Sequence, residues 1–234
     1  MFESLGIPGL FDVHTHFLPP RVAAKVRAQF DTAGPLIGRP WPLHYRDTDE
    51  VLVETLRGLG VRHFSALAYA HRPGMAEFLN EWTAGFADRV PEALRSATFY
   101  PEDDVVTYIG KRLAAGTEIF KVHVQVGGFD VGDPALDEAW GLIEDAGTPV
   151  VLHAGSGPVG TAFTGPGPVA ALLPRLADLR DKVLLGSDFP NIPYPYAHQL
   201  EALERLGLGD DWLRAVLWEN GLRLFGPFPD KSTP

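Results

Sequence analysis

The 234-residue chain is long enough for one large domain, and a 45% share of hydrophobic residues excludes a disordered polymer. Its formal net charge of -10 argues against nucleic acid or an anionic membrane surface as a partner. The absence of cysteine excludes disulfides, thiolate metal sites and cysteine nucleophiles.

The first ten residues carry neither a basic n-region nor an apolar h-region, so no signal peptide is expected. No apolar run reaches bilayer length, and a soluble, cytoplasmic protein is the expectation. No internal repeat or long linker divides the chain, which reads as one domain over 1–234. Short apolar runs alternate with helix-like stretches, the pattern of βα units around a parallel sheet. The first run covers 10–16, and a helix is expected over 21–30. The Gly- and Pro-rich stretch 31–47 is too long for a simple connector and reads as a lid or substrate loop. A helix follows over 48–58 with Thr48 as N-cap, then a second strand over 63–70. The helix over 74–88 places Met75, Phe78, Leu79 and Trp82 on one stripe. Strands over 95–100, 119–125 and 149–153 alternate with helices over 105–115 and 136–146, which Gly116 and Gly147 end. A helix over 168–179 leads to a last strand over 182–187, and two helices close the chain near 196–206 and 211–224.

That makes six strands. His14 and His16 stand two apart, so on a strand both side chains face one way and two neutral imidazoles can share an ion. The pair sits where the C-terminal end of a parallel strand meets a loop, which is where active sites of such folds lie. His153 and Asp188 occupy the same kind of position, each at the tip of an apolar run. Asp188 there can ligate a metal or hold a proton from a bound water. Alternation along the fourth strand puts Lys121, His123 and Gln125 on one face. Lys121 reads as the partner of an acidic neighbour or a substrate carboxylate rather than as a carbamylated bridge between two metals. His123 stands evenly between a substrate contact and direct ligation. His71 and Arg72, after the second strand, suit an anionic substrate or are solvated loop residues. His44, His63 and His198 have no supporting context. No serine lies in a nucleophile elbow, and no P-loop or dinucleotide fingerprint follows the first strand.

The segments Phe11-Asp12-Val13-His14-Thr15-His16, Val151-Leu152-His153-Ala154-Gly155 and Gly186-Ser187-Asp188-Phe189-Pro190 resemble the amidohydrolase-related group that includes aminocarboxymuconate-semialdehyde decarboxylase. Glu219-Asn220-Gly221-Leu222-Arg223-Leu224-Phe225 resembles that group's closing helix. The resemblance implies a TIM-barrel-like (β/α)8 fold and one divalent metal ion, Zn2+ first and Mn2+ or Fe2+ as alternatives. It implies His14, His16 and His153 as ligands, with Asp188 as the strand-eight aspartate that ligates or handles a proton. The implied activity is hydrolysis of a small amide, ester or lactone by metal-activated water, with non-oxidative decarboxylation as the alternative.

The chain departs from that pattern between its fifth and last strands. Two further βα units would need roughly 50 residues, and positions 156–181 offer about half of that. The group's histidine at the end of strand six is also missing, since no histidine lies between His153 and Asp188. Asp188 or His123 would have to replace it as acid/base. The alternative is a catalytically impaired relative that keeps only the metal site. A six-stranded wall would leave two open edges, and a homodimer is one expected consequence.

Overall fold

Five short parallel strands form the inner wall: β1 (Leu10–Asp12), β2 (Val61–Phe64), β3 (Ser96–Thr98), β4 (Ile119–Val122) and β5 (Val150–Leu152). The computed structural model describes residues 2–153 and 178–226. β1 pairs with β2, and β4 lies between β3 and β5. A parallel bridge from Phe64 to Ala93 joins the two groups: the Leu94 N–H donates to the Phe64 carbonyl at 2.8 Å.

Beyond β1 runs the segment 183–189, which carries the sixth position of the wall. The Val13 N–H donates to the Leu185 carbonyl at 2.9 Å, the Asp188 N–H to the His14 carbonyl at 2.8 Å, and the His16 N–H to the Phe189 carbonyl at 2.7 Å. These bonds continue the parallel ladder past the end of β1, so the order across the wall is 183–189, β1, β2, β3, β4, β5. Helices between successive strands cover the outside, as right-handed βα crossovers require.

β1, β3 and β4 are buried at every position, as parallel strands covered by helices are. The helix Asp49–Gly58 buries Leu52, Val53 and Leu56 on one face. Those residues join Phe17, Phe64, Phe86 and Leu217 in one cluster. A second cluster gathers Leu79, Phe99, Tyr108, Phe120 and Ile143 behind β3 and β4. Burying a leucine such as Leu56, which is fully covered, contributes about 1.5–3 kcal/mol.

The C-terminal helix locks the ligand-bearing end. It runs through Asp210–Arg214, a π-helical turn at Ala215–Glu219, and Asn220–Phe225. The Val216 carbonyl in that turn accepts from the Leu185 N–H at 3.0 Å, which ties the helix to the segment 183–189. A Cβ at Gly221 would fall 2.4 Å from Phe11 Cγ, so the absent side chain lets Phe11 lie against this helix. Phe11 also stacks on Phe225, with centroids 5.4 Å apart.

Several expected boundaries are corrected. β1 stops at Asp12, so His14 and His16 lie beyond regular strand. β2 ends at Phe64 rather than at 70: residues 65–70 keep backbone bonds on the β1 side, from the Ser65 N–H to the Asp12 carbonyl and from the Leu67 N–H to the Thr15 carbonyl, but bond through the side chains of Ser96 and Thr98 on the β3 side. β4 ends at Val122, and Val124–Gly127 is one helical turn, so Gln125 does not share a strand face with Lys121. The expected last strand begins as a 3-10 turn, Arg180–Lys182, before its extended part. Thr48 sits at the N-cap of its helix, yet its side chain makes no capping bond. Phe78 is 52% exposed and does not join its expected buried stripe. The stretch 31–47 contains a short helix, Gly34–Ile37. The helix expected over 168–179 lies almost wholly outside the described residues.

Candidate metal centre

His16 reaches the site along a path set by its backbone. Its Nδ1 lies 2.8 Å from the Leu67 carbonyl, which only accepts, so Nδ1 carries the proton. Nε2 is then the nitrogen left to face the site. That atom lies 2.9 Å from Asp188 Oδ1, an oxygen that carries lone pairs. Two acceptors at this distance repel unless a proton or a cation stands with them.

His14 points into the same space. Its Nε2 lies 3.7 Å from Asp188 Oδ1 and 3.2 Å from Lys121 Nζ. Burial, and then the charge of Lys121, hold the imidazole well below its ordinary pKa. His14 is therefore neutral, the form that ligates metals. Ligand atoms of His14, His16 and Asp188 all lie within 4.8 Å of one another. Two imidazoles and a carboxylate with a fixed tautomer suit a divalent ion such as zinc, whose bonds to nitrogen and oxygen are about 2.0–2.2 Å. The donor set thus fits the ion that the sequence implies.

Beneath these residues lies Asp12, fully buried. Its Oδ1 accepts from the His14 N–H at 3.2 Å and the Ser187 N–H at 3.0 Å, and its Oδ2 accepts from the Tyr196 hydroxyl at 2.7 Å. One carboxylate thereby binds the chain on both sides of the site. Burial outweighs these bonds and raises its pKa to about 6. Asp188 has a φ of 62°, the one positive value at a described residue other than glycine. Aspartate tolerates this left-handed conformation better than most residues. A Cβ at Gly186 would fall 3.0 Å from His14 Cβ, so the strand approaches the ligand closely there.

On the opposite side, Lys121 is fully buried, and desolvation lowers its pKa to about 8. Its nearest polar contact is His14, and no carboxylate lies within ion-pair distance of it among the described residues. His123 and His153 stack with centroids 3.9 Å apart. Tyr69 connects them to the ligands, 5.5 Å from the His16 ring and 4.9 Å from the His123 ring. Burial drives the His123 pKa down to about 2, with His153 and Lys121 adding to the shift. The Val126 N–H points at His123 Nδ1 across 3.4 Å, which leaves Nε2 as the protonated nitrogen.

The structure gathers His14, His16 and Asp188 into one cluster and places Lys121 on its edge. His123 and His153 form an adjoining pair outside the 4.8 Å set. His71 and Arg72 lie farther out and are exposed. Sequence reasoning passed over Asp12, Tyr69 and Tyr196. An aspartate inside an apolar strand was the available signal for Asp12, since a buried acid needs several donors.

The amidohydrolase family model matches residues 11–180 and 160–226. The chain belongs to the amidohydrolase family. Two solved structures share the fold of this amidohydrolase. An uncharacterized TIM-barrel protein from Bordetella bronchiseptica is 15% identical with a TM-score of 0.67, over 92% of this chain and 98% of its own. A structure described as an amidohydrolase II is 17% identical with a TM-score of 0.69, over 93% and 99%. These likenesses carry the TIM-barrel-like fold, which the parallel order of the wall independently indicates. No curated protein matches the amidohydrolase chain. Among its described residues, no helix is long and apolar enough to cross a membrane.

Proposed function

We propose that this amidohydrolase binds one divalent metal ion through His14, His16 and Asp188 and hydrolyses a small amide, ester or lactone. The observation that carries the reading is the convergence of ligand atoms from the neutral His14, from His16 and from Asp188 within 4.8 Å of one another. Zinc suits two imidazoles and a carboxylate, and Mn2+ or Fe2+ are the alternatives. His153 is a fourth candidate ligand, from the stacked pair next to the cluster.

When bound, the ion supplies Lewis acidity, which polarises a carbonyl and acidifies water near neutral pH. Asp188 takes the proton of the attacking water at a carboxylate oxygen. A bond forms between the water oxygen and the carbonyl carbon, and the bond to nitrogen or oxygen of the leaving group breaks. The same Asp188 proton then goes to that leaving atom. His123, neutral and protonated at Nε2, donates a hydrogen bond to the substrate instead of acting as base. This division assigns Asp188 the proton transfer that the missing strand-six histidine would otherwise perform. Burial, and then the charge of Lys121, keep His14 neutral.

Metal analysis of the purified protein, combined with acid release from a panel of lactones, esters and amides, tests the reading. One equivalent of divalent metal is expected in wild type, with loss of both metal and turnover in His14→Ala/His16→Ala. Unchanged metal content in that variant would overturn the site. Release of carbon dioxide instead of a hydrolysis product would replace hydrolysis by decarboxylation. Full metal occupancy without turnover would mark an impaired relative.

A further inference from the structure

Beside the metal centre lies a cavity of about 710 Å3, within the range of small-molecule pockets. Tyr69 lines it and also packs edge-on against His16. Val126 lines it and points its N–H at His123. The cavity therefore shares walls with the site. Its other walls are of two kinds. Val22, Met75 and Phe78 give it an apolar surface. Arg21 and Lys25 from the helix Pro20–Thr32 stand with His71 and Arg72 from the segment after β2.

This concentration of cations runs against the composition of the chain, whose net charge is -10. No aspartate or glutamate lines the cavity among the described residues. Glu102 accepts from the Gly74 N–H at 2.6 Å, yet it is not part of the lining. Arg21, Lys25 and Arg72 make no ion pair among the described residues, whereas Arg46 and Arg57 both do. Burial, followed by the charges of Arg72 and Lys25, lowers the pKa of His71, so the two cations converge on it from separate elements. Phe78 is 52% exposed at this rim.

We propose that this cavity is the specificity pocket of the metal centre and takes a substrate that carries a carboxylate on an aryl or alkyl body. Val22, Met75 and Phe78 hold the body, while Arg21, Lys25 and Arg72 meet the carboxylate. Arginine matches a carboxylate through two parallel N–H bonds, which lysine cannot do. Tyr69 is the wall that the pocket shares with His16. The assignment of the substrate rests on the metal-centre reading, whereas the binding chemistry of the pocket can be measured without metal.

Calorimetric titration of metal-free protein with 4-phenylbutyrate and with its neutral analogue 4-phenylbutyramide tests the pocket. The acid is expected to bind about ten-fold more tightly than the amide, as expected for a charge-assisted bond of modest strength. Arg21→Gln/Lys25→Gln/Arg72→Gln should abolish that preference, and Lys182→Gln, outside the cavity, should keep it. The substituted side chains are exposed, so circular dichroism should show unchanged folding. No binding of the acid, equal affinities, or a preference that survives the triple substitution would overturn the proposal. Failure of the protein to take up metal would overturn the metal centre instead, and leaves the preference in metal-free protein as the separate reading of the pocket.

Discussion

The two flanks of the strand wall are built differently. At β1 and the segment 183–189, side chains distant in sequence tie the backbone together. Asp12 holds both His14 and Ser187, Tyr196 holds Asp12, and Phe11 is wedged against Gly221 and Phe225. At β5, Val150 and Val151 are only half-buried, and Leu152 is 49% exposed. His14, His16 and Asp188 lie on the first flank, where Asp12 anchors both the His14 backbone and Ser187, and the stacked His123–His153 pair lies on the second. Precise ligand placement depends on packing around the ligands, and only the first flank supplies it among the described residues.

The sharpest way to break this contrast is at Phe11. It is almost fully buried and lies in aromatic contact with His63, Trp218 and Phe225. Phe11→Ala should cost about 3–5 kcal/mol, as large buried aromatics do. Chemical denaturation would show it as a lower midpoint with a similar slope. A loss under about 1 kcal/mol would mean that this flank is no better packed than the other.

Asp12→Ala comes next. It leaves the His14 N–H, the Ser187 N–H and the Tyr196 hydroxyl without their acceptor. The expected cost is about 2–4 kcal/mol, from stranded buried donors. Metal affinity should fall with it by about 10- to 100-fold, the usual effect of losing an outer support of a ligand. Asp12→Asn restores bulk but offers one acceptor oxygen in place of two, and should give a smaller loss of both. Equal metal affinity in all three proteins would show that Asp12 does not position the ligands.

Much of this was legible in the sequence, for identifiable reasons. The alternation of apolar runs with helical stretches yielded five of the strand positions, because buried parallel strands are apolar on both faces. His14, His16 and Asp188 were legible because each is a polar residue at the end of such a run. The strand ends were not legible: beyond Phe64 the chain bonds to the β3 side through the hydroxyls of Ser96 and Thr98, about 30 residues away, and beyond Val122 it enters the helical turn Val124–Gly127, and the apolar pattern records neither change. Asp12 was quoted within the first motif, yet its role appears only when Tyr196, 184 residues away, closes over it. The separation of His153 from the ligand cluster likewise depends on its ring stacking with His123, which no spacing encodes.

The pH dependence of stability sharpens the contrast from the second flank. His123 is held near a pKa of about 2, far below its ordinary value of 6.5. Below pH 6.5 the unfolded chain therefore binds a proton that the folded chain refuses, and stability falls as pH falls. At pH 5 the deficit from this one residue is about 2 kcal/mol. Asp12 acts in the opposite sense, because its raised pKa makes stability fall as pH rises between about 4 and 6. The difference between wild type and His123→Gln, both metal-free, isolates the histidine. Wild type should lose about 2 kcal/mol more than the variant between pH 8 and pH 5. Parallel pH profiles would show that His123 is not held neutral.

The smallest expected effect is at Leu152, and its smallness is informative. Leu152 ends β5 and is half-exposed, while its register partner Val122 on β4 is fully buried. If nothing covers Leu152 in solution, Leu152→Ser removes little buried apolar surface and should change stability by no more than about 0.5 kcal/mol, the range of ordinary surface substitutions. A second copy of the chain seated on this edge would bury the side chain, and the same substitution would then cost about 1.5–3 kcal/mol, the worth of a covered leucine. That cost would also depend on protein concentration, because association contributes to apparent stability by mass action. Thermal melts of wild type and Leu152→Ser at two concentrations a hundred-fold apart separate the cases. A concentration-independent difference near zero keeps β5 as the open flank, whereas a difference that grows with concentration makes it an interface and removes the asymmetry between the two flanks.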